Sequence, residues 1–399
     1  MREWETRHDL PIGIYSETDT LKGVAIWGAL SVEAVLAQFY PTNISLFFGE
    51  MDVLKARKES QRFAEMLQGN GVRVVEVRDE FAKLLPRQTL DKWEVISTLF
   101  TKAEDTLERF GIPKPGYKEI IVELIEQDIA RYGQDQALAI NKALCLDTEL
   151  PMGNLIYARD QMNVLLGTRF QSSMTKSIRK PEVAVYETVY QQALGLPKPV
   201  VMPDGETFEG GDAYIHDGIV YVGVGARSTL GSAIHIFKSL QAGLEALGFG
   251  FAVVYDADVY QRSEKDQMDF MHLDTFSMPL SRMKILLCAE EARRRKVLTI
   301  SQNHGSLQVT ETNLSFMDFL EKQAQDIHII PLEEQQFFGC NFLNLDAARL
   351  IMPVESNSIT NGMLKGANKE SILADLSEST KGYGGAHCMS GQLWRSTSL

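Results

Sequence analysis

Between residues 79 and 150 the chain carries helix patterns and little strand signal, while strands and helices alternate on both sides. This interruption constrains the fold more than any other feature. Leu90, Trp93, Ile96 and Phe100 recur at helical spacing, and so do Ile120, Ile121, Leu124, Ile125 and Ile129. Pro113 and Pro115 mark a break between the two patterns. These are ordinary core stripes, and the stretch is predicted to be a helical insertion without chemistry of its own. Upstream, residues 20–28 read as a strand. Residues 51–69 read as an amphipathic helix stopped by Gly69-Asn70-Gly71, and residues 72–77 as a β-branched strand. Downstream, 218–225, 251–255, 283–287, 297–300, 327–330 and 348–352 are predicted strands, and 229–247 a helix. A unit of strand, turn, strand, helix and strand recurs without sequence identity, as several α/β modules around one centre require.

The 399 residues, 44% hydrophobic and 23% charged, suffice for a large buried core and are expected to form one catalytic domain over 1–399. A net charge of -13 lacks the field of a nucleic-acid binder and favours a cationic small molecule. The cysteines, Cys145, Cys288, Cys340 and Cys388, are scattered, so neither a zinc ribbon nor a disulfide framework is indicated. The N-terminus has no apolar signal-peptide core, and no apolar run approaches the roughly 18 residues of a membrane span. No membrane partner and a cytoplasmic location are therefore expected.

Chemistry concentrates near turns. Asn154-Leu-Ile-Tyr157-Ala-Arg159-Asp160 ends on a carboxylate, and Glu209-Gly-Gly-Asp212 sets two carboxylates around two glycines. His272-Leu-Asp274 puts a histidine and an aspartate on one side of what reads as an extended segment. Gly384-Gly-Ala-His387-Cys388-Met-Ser presents a cysteine on a glycine-rich turn. Singly, these are a local ion pair, a turn, a core hydrogen-bonded pair and a small apolar residue. Together they suit covalent attack on a positively charged carbon. Carboxylates grip the cation, histidine moves protons and cysteine forms the intermediate. Cys340, between Gly339 and Asn341, is the only rival nucleophile.

The order Asn-x-x-Tyr-x-Arg-Asp, Glu-Gly-Gly-Asp, Met-His-Leu-Asp-Thr and Gly-Gly-x-x-Cys-Met-Ser resembles arginine deiminase, within the wider guanidine-modifying superfamily. Residues 40–48 and the insertion at 79–150 are similar to that branch. The resemblance implies a pentein-type α/β propeller: five ββαβ modules about a pseudo-fivefold axis, with the site at the centre. It implies that Cys388 attacks the guanidinium carbon and that His272 protonates the departing ammonia and then activates water. Asp160 and Asp274 hold the guanidinium nitrogens, with Glu209 beside them. Asn154, Tyr157, Arg179, Arg227 and Asp212 become substrate-binding candidates, the arginines for a substrate carboxylate. No cofactor or metal is implied, and the partner is a small guanidino compound. The insertion offers surface for a homo-oligomer.

The chain departs from the branch in three places. The arginine expected shortly before the nucleophile is absent, with Lys381 and Tyr383 in its stead. Gly49-Glu50 replaces an Asp-Asp pair. Gly-Gly-Ala-His-Cys is closer to amidinotransferases, dihydrolases and agmatine deiminases, and His387 is expected to line the site or shape its loop. The leading reaction is arginine to citrulline and ammonia through a Cys388 amidino intermediate. The alternatives are amidino transfer to an amine, or dihydrolysis to ornithine.

Overall fold

The computed structural model describes residues 12–112, 114–303, 305–353 and 358–396. Residues 1–11 and Pro113 of the predicted break lie outside them. Strand β1 (Thr20–Ile26) pairs in parallel with β2 (Arg73–Glu76) across a helical crossover that includes Val53–Gly69. On the other edge of β1 lies, antiparallel, the last strand of the chain, Gly391–Ser396. The same three-strand plan returns four times. β3 (Met162–Leu165) and β4 (Thr168–Gln171) form a hairpin, and β5 (Val200–Val201) joins β4 in parallel after helix Lys180–Thr188. β6 (Ala213–His216), β7 (Ile219–Val224) and β8 (Gly250–Tyr255) repeat it around helix Leu230–Leu247.

In the next module, β9 (Ser277–Ser281) pairs with β10 (Lys284–Cys288). Its crossover contains a long hairpin, β11 (Lys296–Asn303) and β12 (Ser306–Ser315), which extends the preceding sheet at β8. β13 (Asp326–Ile330) then closes the module in parallel with β10. β14 (Leu343–Asn344), β15 (Arg349–Pro353) and β16 (Glu370–Ala374) form the last repeat, and Gly391–Ser396 is β17. The described residues thus make five sheets on one plan, the first completed by the chain's last strand.

Burial shows which way the modules face. The first strands β3, β6 and β14 are buried throughout, and β9 and β17 nearly so. The third strands β2, β5, β13 and β16 are largely open. The first strands therefore line the axis. Hydrogen bonds link them in a closed ring: Asn163 Nδ2 to Ala213 O (2.8 Å), Tyr214 Oη with Ser277 Oγ (2.9 Å) and Asn344 Nδ2 to Pro279 O (2.8 Å). Arg395 Nη2 to Asn344 O (3.0 Å) and Arg159 N to Cys388 O (3.0 Å) close it. This is the pseudo-fivefold α/β architecture that the recurring unit implied. The short hairpin β3–β4 and the polar β12 were not legible beforehand.

Helices Val77–Leu84, Lys92–Phe110, Tyr117–Tyr132 and Gln134–Cys145 lie between β2 and β3. Asp91 caps the second of these, accepting from Glu94 N, and Gly111 ends it in the left-handed conformation. Ile96 is buried here, but Trp93 is not the core residue that the stripe implied. It sits in the first turn, 63% exposed, with the Lys92 ammonium 5.0 Å from its ring centroid. The helices are tied to the first module by buried charges. Arg78 bonds Glu33 (2.7 Å) and Asp128 (2.8 Å), and Arg57 bonds Asp128 (2.8 Å).

Candidate active site

Every module contributes from the segment that leads into its first strand. Asp160 stands in the turn Ala158–Gln161 before β3. Glu209 and Asp212 flank the turn before β6, and His272 and Asp274 stand in the turn before β9. Asn341 lies two residues before β14, and Cys388 lies in the loop before β17. Segments entering the axis at one end converge by construction, so residues far apart in sequence meet. All five side chains expected to be catalytic are at most 3% exposed.

The glycines permit the close approach. A Cβ on Gly211 would fall 2.8 Å from His272 Nδ1, and one on Gly384 2.6 Å from the Tyr157 ring.

His272 sits between two acids, with Nε2 3.0 Å from Glu209 Oε2 and Nδ1 3.5 Å from Asp160 Oδ1. Burial opposes charge on the imidazole, but Asp160 and Glu209 outweigh it and raise its pKa to about 9. Burial likewise opposes charge on Glu209. Arg227 and His272 outweigh it and hold that carboxyl below its ordinary range.

The segment around His272 is not extended. Thr275 N and Oγ1 both donate to His272 O, closing a turn that sends His272 and Asp274 to different partners. Both belong to the site, but the two-residue periodicity was the wrong reason. Asp212 accepts from Ser228 Oγ (2.6 Å) and Leu273 N (3.0 Å), so it supports the His272 turn. Burial foremost, with Glu209, raises its pKa to about 6.

Cys388 Sγ lies 3.8 Å from Asp274 Oδ2. Burial, then Asp274 and Asp160, push the thiol well above its ordinary pKa. Asn341 Oδ1 accepts from Gly385 N (2.9 Å) and Cys388 N (3.0 Å), which fixes the Cys388 loop. His387 holds Asp274 at the oxygen that the thiol also faces. Gln392 Oε1 accepts from Arg395 Nε (2.7 Å), which turns its amide Nε2 toward Glu17 (2.9 Å) and His387 Nε2 (3.0 Å). His387 thus accepts at Nε2 and donates from Nδ1 to Asp274 Oδ2 (2.6 Å). Cys340, the rival nucleophile, is fully buried beside Leu286 O, and burial pushes its thiol well up. Cys145 and Cys288 are buried too.

The substrate-side candidates separate. All guanidinium nitrogens of Arg179 are engaged: Nη1 on Asp160 (2.6 Å), Nε on Glu182 (3.0 Å) and Nη2 near two carbonyls (3.4 Å). Arg227 is held loosely, with Nη2 on Met268 Sδ (3.2 Å) and Nη1 3.5 Å from Glu209. Asn154 Nδ2 donates to Ser45 O (2.9 Å), and Tyr157 Oη donates to Ser379 O (2.5 Å). Lys381 donates to Glu50 O (2.8 Å) and Glu378 (2.6 Å), and Tyr383 packs on Phe48. Neither stands free in place of the missing arginine.

Ligand atoms of Asp160, Glu209 and His272 lie within 4.8 Å of one another, as a metal site would need. The imidazole gives each acid its own ring nitrogen, however, and Arg179 and Arg227 already neutralise the same carboxylates. That donor set suits a proton-carrying histidine better than a metal ion. The buried atoms without a hydrogen-bond partner among the described residues include Asp160 Oδ1, Asp274 Oδ1, His272 Nδ1 and Arg227 Nη1.

The arginine deiminase family profile matches residues 45–395. The chain belongs to the arginine deiminase family. It is accordingly a hydrolase of amidine carbon–nitrogen bonds. Arginine deiminase of Streptococcus agalactiae (serotype V) is 24% identical over 95% of this chain and 97% of its own. That of Streptococcus equi subsp. zooepidemicus (strain MGCS10565) is 25% identical at the same coverage. Among solved structures, the N-terminal domain of ArgZ, a cyanobacterial arginine dihydrolase, superposes with TM-score 0.57 at 15% identity, covering 94% of this chain and 98% of that one. DDAH from Pseudomonas aeruginosa gives 0.55 at 17% identity (94% and 100%). SxtG, an amidinotransferase from Microseira wollei, gives 0.55 at 16% (98% and 99%). These likenesses establish the pentein-type fold. Among the described residues no helix is long and apolar enough to cross a membrane.

Asn341, Glu182, Glu17 and Gln392 were missed in the sequence. Only Asn341 had a signal: the segment before each module's first strand supplies a site residue, and Asn341 holds that position before β14.

Proposed function

We propose that the enzyme hydrolyses L-arginine to L-citrulline and ammonia through a covalent intermediate on Cys388. The observation that carries this reading is the pair of buried, unpartnered carboxylate oxygens of Asp160 and Asp274 beside the Cys388 thiol. A guanidinium would donate to both and present its carbon to sulfur. Its charge would offset the carboxylate field that holds the thiol protonated, so ionisation would accompany binding. The thiolate adds to the guanidinium carbon. His272, charged below about pH 9, gives its proton to one nitrogen, which leaves as ammonia. The resulting thiouronium is attacked by water, whose proton His272 accepts. Collapse expels the thiolate and releases the urea group, and the hydroxyl proton passes to solvent, where the ammonia takes it up.

Arg227 is the better candidate for the substrate's carboxylate, because a better acceptor would displace its sulfur contact. Arg179 orients Asp160, and Asp212 orients His272. Asn154 and Tyr157 hold the walls of the site to Ser45 and Ser379.

The test is product analysis of purified protein with arginine, with and without glycine. Citrulline with one ammonia supports the proposal. Ornithine with two ammonia makes the enzyme a dihydrolase. A new guanidino compound that needs glycine makes it a transferase. No product rejects arginine as the substrate.

A further inference from the structure

A cavity of about 470 Å³ lies between the first-module loop and the start of helix Tyr117–Tyr132. Its walls include Tyr40, Phe47, Phe48, Glu50 and Lys114. A second cavity of about 380 Å³ adjoins it and shares Glu50 and Lys114, so this ion pair is the partition between the two. Lys114 is 8% exposed, and burial lowers its pKa. Its ammonium reaches Gln38 Oε1 (2.9 Å) and, more loosely, Glu50 Oε1 (3.3 Å). The Glu50 side chain is 75% exposed and free to swing into water. A nearly buried cation with a weak, replaceable anionic partner, facing aromatic walls in a roomy cavity, is built to exchange that partner for another carboxylate.

The same loop is fastened to the approach to the nucleophile. Phe48 N donates to Lys381 O (2.9 Å), and Lys381 Nζ donates to Glu50 O (2.8 Å). The Phe48 and Tyr383 rings lie 4.8 Å apart. Tyr383 is left-handed (φ 68°), and it packs with Leu46, Ile178, Met268, Met271 and Phe338. Each of those residues lies within five positions of a residue that builds the site or its walls. We infer that this cavity is a second small-molecule site, for a zwitterion of amino-acid size. Its carboxylate is taken by Lys114, its ammonium by the released Glu50 and its chain by Tyr40, Phe47 and Phe48. Occupancy shifts Phe48 and Glu50 and so resets the segment leading to Cys388. Only this coupling, and not the binding itself, rests on Cys388 being the nucleophile.

L-Norleucine, which has the zwitterionic head but no guanidine, is the probe. Calorimetry on Cys388→Ala protein, with and without saturating agmatine, measures its binding without turnover. The expected result is one site that agmatine, which carries the guanidine but no carboxylate, does not compete for, and that Lys114→Met weakens about tenfold or more. Glu50→Gln, at an exposed side chain, guards against a folding defect. It should weaken norleucine and tighten hexanoate, which lacks the ammonium. The rate at which iodoacetamide modifies Cys388 in otherwise native protein, followed on its peptide by mass spectrometry, should change about fivefold on norleucine binding. Absence of binding, binding unchanged by Lys114→Met, competition with agmatine, or an unaltered alkylation rate would each overturn the inference.

Discussion

Two buried clusters of charge lie in this molecule, and they are built on opposite terms. At the foot of the insertion, Arg57 and Arg78 meet Glu33 and Asp128 at 2.7–2.8 Å, two cations against two anions. Ser31 and Asn141 complete the hydrogen bonding of Asp128. At the axis, Asp160, Glu209, Asp212 and Asp274 face Arg179, Arg227 and His272. There Asp160 Oδ1 and Asp274 Oδ1 have no hydrogen bond among the described residues. In the first cluster two cations match two anions, and although Glu33 Oε2 and Arg78 Nε also lack a hydrogen bond among the described residues, its Coulomb energy is balanced and it joins elements. At the axis four acids face three cations, and a further cation that fits between them would gain the unmatched attraction in a dry site. The difference teaches which buried charges hold the chain and which bind.

The largest effect tests the axis cluster alone. Cys388→Ala is expected to lower turnover by about 10⁴-fold or more, as loss of a nucleophile does, with an unchanged melting midpoint. A variant that melted early would place Cys388 among the structural residues. The counterpart is Asp128→Ala, which strands Arg57 and Arg78 and should cost about 3–5 kcal/mol in denaturant unfolding. Asp128 is held below its ordinary pKa, burial being outweighed by Arg78 and Arg57. Its stabilisation is therefore present above the unfolded carboxylate value and lost as pH falls through the folded one.

Asp274→Asn should lower kcat/KM by about 10²–10³-fold, the scale for one electrostatic contact in a dry site, while stability holds or rises. A loss of stability comparable to that of Asp128→Ala would erase the distinction between the clusters. The smallest effect is on pH. In the proposed reaction His272 must be charged to protonate the departing nitrogen, so the alkaline limb of kcat is expected near 9. Glu209→Gln removes one of the charges that raise this pKa. The limb should then move down toward the ordinary histidine value, and a limb that stayed in place would deny Glu209 that role.

Much of this was legible in the residues, and the limits have physical causes. The strands at 218–225, 251–255 and 327–330 announced themselves by β-branched runs. The two-residue β14 and β5 did not, because such short strands exist only through their neighbours. Cys388, His272, Asp160, Glu209 and Asp274 could be singled out because a thiol, an imidazole and carboxylates beside turns are chemically distinctive. The supporting roles could not. Asp212 looks like a cation ligand until Ser228 and Leu273 N are seen to claim it. Arg179 looks like a carboxylate binder until Asp160 and Glu182 are seen to hold all it has. Asn341 is an ordinary amide in sequence, and it matters because the fold brings the Gly385 and Cys388 amides to it across 44 and 47 residues. Trp93 shows the reverse error, a helical stripe continued one turn past the core.

The most direct test of the account is acid-quench mass spectrometry of the enzyme during turnover of arginine. The account predicts a thiouronium adduct on the peptide carrying Cys388, accumulating before steady state and absent from Cys388→Ala protein. Turnover without any adduct on that peptide, or an adduct on the peptide carrying Cys340, would contradict it.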